Sequence, residues 1–442
     1  MTSMTTRTLL PAVLGLALLA SATLPPTHRS IENQLKESEH KKVGEKIASC
    51  IEADIERNGK KRDAEDDLSS YLDKKWTKAA KKRSPLVLSD DIAAALWYVT
   101  DYTKIKGLKK GRITEMPVSI DYYGEGFTST AAVWLPKKYS PKIQYPLVFC
   151  IPEPGIKPEA HLNDSWADST VREGAILVAI EMPEDEANWG SPGDEGVPGG
   201  FGILMRTFRQ VQDTYAIDFD RVFLAGQGLG VQAAMQIANL SADRFAGIIG
   251  RSGDAAEMAP NNLSNIPCFF AGGGKRVSAY AEQAKEVGGA DCLVKADGKL
   301  TDVWSWMAEV KRNANPETVL LLPTGPTPTK AYWLEIVRED YPEGSKLKAT
   351  ADRASNTITI DANNIESVTI YLNDSIVDLD NPVKVILNGV EHEDMIPRNF
   401  NTMIQQIYKG RSDPGKLYTT RTEYDIPKPA SDDSEGMAQK PK

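Results

Sequence analysis

RVFLAGQGLGVQAAMQIAN, residues 221–239, is the stretch that decides the fold of this chain. Residues 222–225 are apolar and predict a short buried strand. Glycines alternate through residues 226–230 and predict a tight turn directly after that strand. The apolar residues that follow share the spacing of one helical face, and they are Val231, Ala234, Met235 and Ala238. The sequence therefore predicts a strand, a sharp turn and a helix in immediate succession.

This layout resembles the nucleophile elbow of the α/β-hydrolase fold, in which G-x-S-x-G exposes a serine on a strained strand-to-helix turn. Two further stretches resemble secreted esterases of the polyhydroxybutyrate-depolymerase or dienelactone-hydrolase kind. They are IDFDRV at 217–222 and STAAVWLP at 129–136. The resemblance covers residues 111–313 and implies a mostly parallel sheet with helices on both faces. It also implies a catalytic nucleophile at the centre of the turn, where this chain has Gly228.

The same glycines leave a second interpretation open, a Rossmann-like phosphate-binding loop. Gly226, Gly228 and Gly230 would let a pyrophosphate approach the backbone at the start of the helix. However, the third glycine comes too early for G-x-G-x-x-G, and no matching strand–helix–strand unit opens the domain. We therefore favour the elbow and expect no cofactor.

Strands and helices alternate through residues 111–313. Two strands, at 116–122 and 129–136, are predicted to open this region as an antiparallel pair. Further buried strands are predicted at 145–151, 175–180, 222–225, 245–249, 266–271 and 292–295. Helices are predicted at 203–215, 231–240, 279–287 and 302–312. This alternation predicts an α/β domain with a mostly parallel sheet and helices on both faces.

The regions that flank this domain have different patterns. Residues 23–110 are rich in Lys, Glu and Asp with apolar residues at helical spacing, which predicts a helical pre-domain. Residues 316–426 contain short strands and the hairpin signal Asn388-Gly389, which predicts a sandwich-like β-module with one helix near 400–408. Residues 427–442 are polar and contain proline, so we expect a disordered tail.

The composition indicates which class of partner to expect, and the amino terminus indicates the cellular compartment. With 52 basic and 61 acidic residues, the 442-residue chain has a net charge of −9, which argues against a nucleic-acid partner. Residues 1–22 are typical of a secretory signal peptide, with Arg7, an apolar run over 9–19 and an A-x-A cleavage site ending at Ala22. We therefore expect a secreted or periplasmic protein without a stable membrane span after cleavage, an uncleaved anchor being the alternative.

Cysteines and histidines show no pattern of a disulfide framework or a metal site. Cys150 and Cys268 lie in apolar strands, where cysteine is usually a small buried hydrophobe. No histidines and carboxylates have the spacing of zinc ligands. His161, Asp164 and Asp168 could bind a cation, but the start of a helix is the favoured interpretation of that cluster. We expect no metal.

A serine hydrolase of this fold needs Ser, then Asp or Glu, then His, in that chain order. Gly228 has no side chain that could attack a substrate. The acid position after strand 266–271 reads GGGK, and the base position after strand 292–295 reads ADGKL, so the required residues are missing from both. The four histidines of the chain are His28, His40, His161 and His392. None lies between 162 and 391, so a triad in the required order is excluded within this domain.

The oxyanion side of the predicted site is altered as well. The turn after strand 145–151 reads Pro152-Glu153-Pro154-Gly155. Its two prolines lack N–H donors, and Glu153 places a carboxylate where developing negative charge would have to be stabilised. Ser252 and Asp254 in GRSGD remain as weak candidates for a nucleophile and an acid. Ser252 follows the wrong strand, and an Asp in a turn is usually a cap.

Three functional hypotheses follow. The first is an exported pseudo-hydrolase without catalytic residues, which binds a small carboxylate or ester-like ligand, or an envelope or extracellular protein, at the vestigial pocket. The residues expected to line that pocket are Gln227, Gly228, Leu229, Glu153 and His161. Free N–H groups at the start of the helix would favour an anion there. The second hypothesis is an active esterase or peptidase that uses Ser252 or Asp254, and the third is a structural envelope or matrix component.

Overall fold

The computed structural model describes residues 35–57, 59–323, 328–336 and 342–428. Helices come first in the chain: α1 (Glu37–Glu56), α2 (Lys61–Tyr71) and α3 (Ser89–Ala95). Residues 1–34 and 429–442 lie outside the described part, and with them the predicted signal peptide and nearly all of the predicted tail. Among the residues described, no helix combines the length and the apolar character needed to cross a membrane.

An eight-stranded sheet follows these helices. Its strands are β1 (Ile113–Ser119), β2 (Thr128–Trp134), β3 (Tyr145–Ile151), β4 (Ile176–Ala179), β5 (Ile217–Gln227), β6 (Gly247–Arg251), β7 (Cys268–Ala271) and β8 (Cys292–Lys295). They lie in the order β1-β2-β4-β3-β5-β6-β7-β8, and only β2 runs against the others. The predicted mostly parallel sheet is confirmed.

Helices cover both faces of this sheet because its strands are apolar on both sides. One face packs against α6, α7 and α8, and the other against α4, α5 and α9. Their bounds are α4 (Pro158–Ser165), α5 (Ser169–Gly174), α6 (Gly200–Thr214), α7 (Gly230–Leu240), α8 (Lys275–Glu286) and α9 (Leu300–Glu309). The predicted α/β architecture with helices on both faces is therefore present.

The carboxy-terminal region is rich in β-structure, as predicted. Its strands are β9 (Thr318–Leu321), β10 (Lys330–Ala331), β11 (Leu334–Ile336), β12 (Lys346–Asp352), β13 (Thr357–Asn363), β14 (Ser367–Leu372), β15 (Val383–Leu387), β16 (Val390–Asp394) and β17 (Thr420–Asp425). They form a four-stranded sheet, β10-β11-β14-β17, and a five-stranded sheet, β16-β15-β13-β12-β9. One helix, α10 (Phe400–Gly410), lies near the predicted position.

The hairpin between β15 and β16 has the turn that its sequence predicts. Asn388 and Gly389 both have positive φ, 46° and 85°, as a type I′ turn requires. Neither β12 nor β16 is predicted by the sequence. Edge strand β16 reads VEHED and is largely exposed, so it lacks the apolar alternation by which strands are recognised.

A buried ion cluster joins the α/β domain to the carboxy-terminal region. The Arg312 guanidinium, whose side chain is 1% exposed, contacts Asp220 at the start of β5 at 3.0 Å and Asp413 after α10 at 2.6 Å. Its Nη1 also donates to the Asp243 carbonyl at 3.1 Å. The Asp243 carboxylate in turn pairs with Lys416. Residues from separate parts of the chain thus share one desolvated charge cluster.

Candidate functional site at the elbow turn

The turn between β5 and α7 has the backbone of a nucleophile elbow. Gly228, at its centre, has a φ of +55°, which a residue with a side chain adopts only under strain. A Cβ on Gly226 would lie 2.2 Å from the Gly230 carbonyl oxygen, and one on Gly230 would lie 2.4 Å from the Ile151 carbonyl oxygen. All three glycines are therefore explained by the tight strand-to-helix turn.

Glu153 occupies the space above this turn. Its Oε1 lies 1.5 Å from the point where a Cβ on Gly228 would stand, and its Cδ lies 2.5 Å from that point. The residue follows β3 and is itself exposed to solvent. The carboxylate thus fills the position that a nucleophile would need. Glu153 occupies the space that the missing side chain at Gly228 leaves.

Arg251, at the end of β6, is the residue of this site that the sequence did not reveal. It pairs in register with Gln227 at the end of β5. Its Nη1 donates to the Ser165 carbonyl at 2.7 Å and lies 3.5 Å from the Gln227 Oε1. Its guanidinium lies over the Trp166 ring, 5.2 Å from the centroid. No carboxylate among the described residues forms an ion pair with Arg251, and burial lowers the pKa of its guanidinium.

His161 lies on α4 beside this arginine and does not contact the elbow through any described hydrogen bond. It is 4% exposed, and its Nε2 lies 3.3 Å from the indole Nε1 of Trp166, which donates to it. Burial, together with the charge of Arg251, lowers the pKa of His161 to about 4. The ring is therefore neutral at pH 7, and its Nε2 serves as an acceptor for Trp166.

Asp254 caps a helix. Its Oδ1 accepts hydrogen bonds from the backbone N–H groups of Val277, in the first turn of α8, at 2.9 Å and of Ala255 at 3.1 Å. Burial alone would raise the pKa of this carboxyl, but these bonds and nearby Arg276 outweigh it and lower the pKa. Ser252 is exposed with a φ of 51°. Neither arrangement includes a histidine base.

The remaining catalytic positions also lack functional side chains. Gly272 and Gly273, after β7, have φ values of 79° and 132°, so the acid loop is a glycine turn. His40 contacts Asp91 at 2.7 Å within the helical region, and His392 lies on β16 next to Tyr424. Neither histidine is close to the elbow in the chain or in the sheet order.

Asp168, one of the three residues that the sequence suggested as cation ligands, has a structural role. Asp168 accepts hydrogen bonds from the Thr170 and Val171 N–H groups at 2.9 and 3.2 Å and so caps α5. Within the part of the chain that the structure describes, no group of three or more His, Cys, Asp or Glu side chains is arranged to hold a metal ion.

Two apolar side chains frame the elbow. Leu229, at the start of α7, is 48% exposed, and Ile156, in the turn that carries Glu153, is 46% exposed. These residues lie on the two segments that meet at Gly228. The surface around the turn therefore combines apolar groups, one carboxylate and, on one side of the sheet, the Arg251 cation.

Comparisons with solved structures return esterases and related hydrolases. No protein-family model and no curated sequence matches the chain. A thermostable esterase matches with a TM-score of 0.37 at 16% identity, over 45% of this chain and 63% of that chain. A ferulic acid esterase from Anaeromyces mucronatus, solved with ferulic acid, matches with a TM-score of 0.35 at 11% identity, over 47% and 94%. An S-formylglutathione hydrolase from Agrobacterium tumefaciens matches with a TM-score of 0.36 at 13% identity, over 46% and 98%.

These likenesses concern the fold. The chain spans less than two thirds of the thermostable esterase, and less than half of this chain is matched in each case. The strand order and the elbow turn of the chain itself define its fold.

Proposed function

We propose that this chain is a non-catalytic protein of the α/β-hydrolase fold, a pseudo-hydrolase, that binds a small carboxylate at the elbow turn. The observation that carries the proposal is the Glu153 carboxylate 1.5 Å from where a side chain on Gly228 would begin. A nucleophile at this position would need that space and a histidine base. Glu153 occupies that space, and residues 162–391 contain no histidine. Both facts support binding without turnover.

Arg251 supports a carboxylate as the chemical class of the ligand. A guanidinium has five N–H donors in a planar fork that fits a carboxylate with two parallel hydrogen bonds. The two described acceptors of Arg251, on Ser165 and Gln227, both use Nη1. Its Nε and Nη2 groups form no described hydrogen bond, and the N–H groups at the start of α7 add positive potential close by.

Glu153 supports selectivity among carboxylates. Because like charges repel at short range, a second negative charge directed at the turn near Glu153 would be disfavoured. A ligand with one carboxylate and an uncharged remainder, such as a hydroxyl or an ester, meets both residues without this cost. Leu229 and Ile156 offer apolar contacts to a short alkyl chain.

Calorimetric titration of the full mature chain with butyrate, hydroxybutyrate and succinate tests this proposal. We expect saturable binding of the monocarboxylates, weaker binding of succinate, and a loss of about tenfold or more in affinity in Arg251→Gln. Glu153→Gln should bind succinate more tightly. Arg206→Gln is the matched control, since Arg206 is an exposed arginine that donates to the Ser119 carbonyl at 3.0 Å, away from the elbow. Equal affinity in the Arg251 and Arg206 variants would refute the assigned site.

Hydrolysis of short-chain para-nitrophenyl esters tests the absence of catalysis separately. We expect the rate to equal the buffer blank for the wild type and for Ser252→Ala and Asp254→Ala. Turnover by the wild type that either substitution abolishes would establish the alternative, an active hydrolase with non-standard residues.

Export is the second component of the proposed function, and it rests on the sequence of residues 1–22. The proposal is a secreted or periplasmic protein whose ligand, or an envelope or extracellular protein partner, is met outside the cytoplasm. Amino-terminal sequencing of the protein from its natural host should begin at Thr23. An intact amino terminus in the cytoplasmic fraction would exclude this location.

A further inference from the structure

Two of the four cysteines lie side by side in the central sheet. Cys268 opens β7 and Cys292 opens β8, and the two residues are register partners on adjacent parallel strands. Neighbouring strands are about 4.7–4.9 Å apart. That spacing lies within the Cα separation of about 4.4–6.8 Å at which disulfides occur. Because register partners point to the same face, the two side chains are neighbours, and both lie in the same hydrophobic cluster.

The two thiols differ in access to solvent. Cys268 is buried, 2% exposed, and its Sγ also lies 3.6 Å from the Ile266 carbonyl oxygen. Cys292 is partly exposed because β8 is the edge strand of the sheet. Its neighbours Leu293 and Val294 are 41% and 43% exposed, so a small reagent reaches this edge. The Cys292 thiol can therefore react with a reagent from solvent, and the buried Cys268 thiol lies next to it.

We propose that Cys268 and Cys292 form an intrachain disulfide in the exported protein. The oxidant is a disulfide of low molecular weight or of a thiol oxidoreductase. The Cys292 thiolate attacks one sulfur of that disulfide, which forms a mixed disulfide and releases the first thiolate. Cys268 then loses its proton and attacks the Cys292 sulfur, which releases the second thiolate. The protein loses two hydrogens, and the oxidant gains both.

The interaction between the two neighbouring thiols favours the first step, because it lowers the pKa of Cys292. The pKa of Cys268, by contrast, is raised by its interaction with Cys292 and by burial, and burial raises the pKa of the Cys150 thiol. Cys292 is thus the attacking residue, and Cys150 and Cys50, both buried, are the unreactive controls.

The disulfide would fasten the edge strand to the sheet. Among the described strands only β7 pairs with β8, and the loop that follows β8 contacts the end of β7, where Gly298 lies against Ala271. A covalent link at the start of β8 would limit opening of this edge. It would also cross-link the two ends of the segment that contains α8.

Thiol counting by mass spectrometry tests the proposal on the full mature chain. The protein is equilibrated with oxidised glutathione, denatured in iodoacetamide, and compared with a sample reduced first. We expect two alkylated cysteines in place of four, and a peptide pair linked through Cys268 and Cys292. Cys50→Ala/Cys150→Ala should retain the loss of two hydrogens, and Cys292→Ser should abolish it.

Other results would overturn the proposal. Four alkylated thiols after equilibration, a link that involves Cys50 or Cys150, or a stable glutathione adduct on Cys292 would each do so. The wild-type measurement does not depend on how the variants fold. It is also independent of ligand binding at the elbow, so either proposal can fail alone.

Discussion

The Glu153 Oε1 lies 1.5 Å from the position that a Cβ on Gly228 would occupy. These two residues therefore exclude any side chain at the elbow as long as Glu153 keeps its conformation. Each departs from what the resemblance to esterases implies, and together they place a carboxylate where that resemblance implies a reactive side chain.

Gly228→Ser should destabilise the protein through two separable effects. The φ of +55° disfavours any side chain by about 1–3 kcal/mol, and the clash with Glu153 adds to this. Gly155→Ser is the matched control, because Gly155 has a φ of +79° but no atom within 4 Å of an added Cβ. Denaturant unfolding should show a larger loss at 228 than at 155. In Gly228→Ser/Glu153→Ala the difference should shrink, and equal losses at 228 and 155 would contradict the steric account.

Arg312→Met should lower the free energy of unfolding by about 3–5 kcal/mol, because it removes the guanidinium that pairs with the buried Asp220 and Asp413 carboxylates. Lys384→Met serves as the control. Lys384 pairs with Glu391 at 2.7 Å, but their side chains are 41% and 62% exposed, so its loss should cost about 1 kcal/mol or less. Urea titrations of both variants decide this, and similar midpoints would show that the buried cluster adds no stability of its own.

His161 should make stability depend on pH. Its pKa is lowered from 6.5 to about 4, so the folded state binds this proton less readily than the unfolded state. The stability it contributes is complete above pH 6.5 and is lost as the pH falls towards 4, by up to about 3 kcal/mol. Unfolding free energies measured between pH 7.5 and pH 4.5 should therefore fall less in His161→Gln than in the wild type. An unchanged pH profile would rule out this source.

Asp254→Ala should cost about 1 kcal/mol of stability through loss of the cap on α8, without any effect on ester hydrolysis. Asp297→Ala is the control, since Asp297 is an exposed aspartate in the loop after β8. Thermal melts of the two variants should separate them. Equal melting temperatures of Asp254→Ala and Asp297→Ala would show that Asp254 does not stabilise α8 as a cap.

Local sequence patterns predict most of the sheet domain. They succeed where a conformation depends on residues that are adjacent in the chain. Glycines at 226–230 favour a tight turn, and Asn388-Gly389 favours positive φ at both residues, as the structure has them. Contacts across the chain are different. Glu153 meets Gly228 only after β3 and β5 pair, and Cys268 meets Cys292 only through the register of β7 and β8.

Arg251 shows a second limit of sequence reasoning. In the sequence it is one residue of GRSGD, and attention falls on the serine because serine can be a nucleophile. Its importance comes from burial next to Trp166 and from the lack of an ion pair with any carboxylate of the described residues, neither of which leaves a local pattern. The ion cluster around Arg312 is also not predicted from the sequence, because Asp220 and Asp413 lie far apart in the chain.

Helix α10 shares a hydrophobic core with the first helices of the chain. Met403, Ile404 and Ile407 belong to the same buried cluster as Val43 and Ile47 of α1. During vectorial synthesis the amino-terminal helices therefore emerge long before the segment that completes their core. The part of this core that α10 covers stays exposed until residues 400–417 are made, so a chain truncated after the α/β domain would expose apolar surface near its beginning as well as at its end.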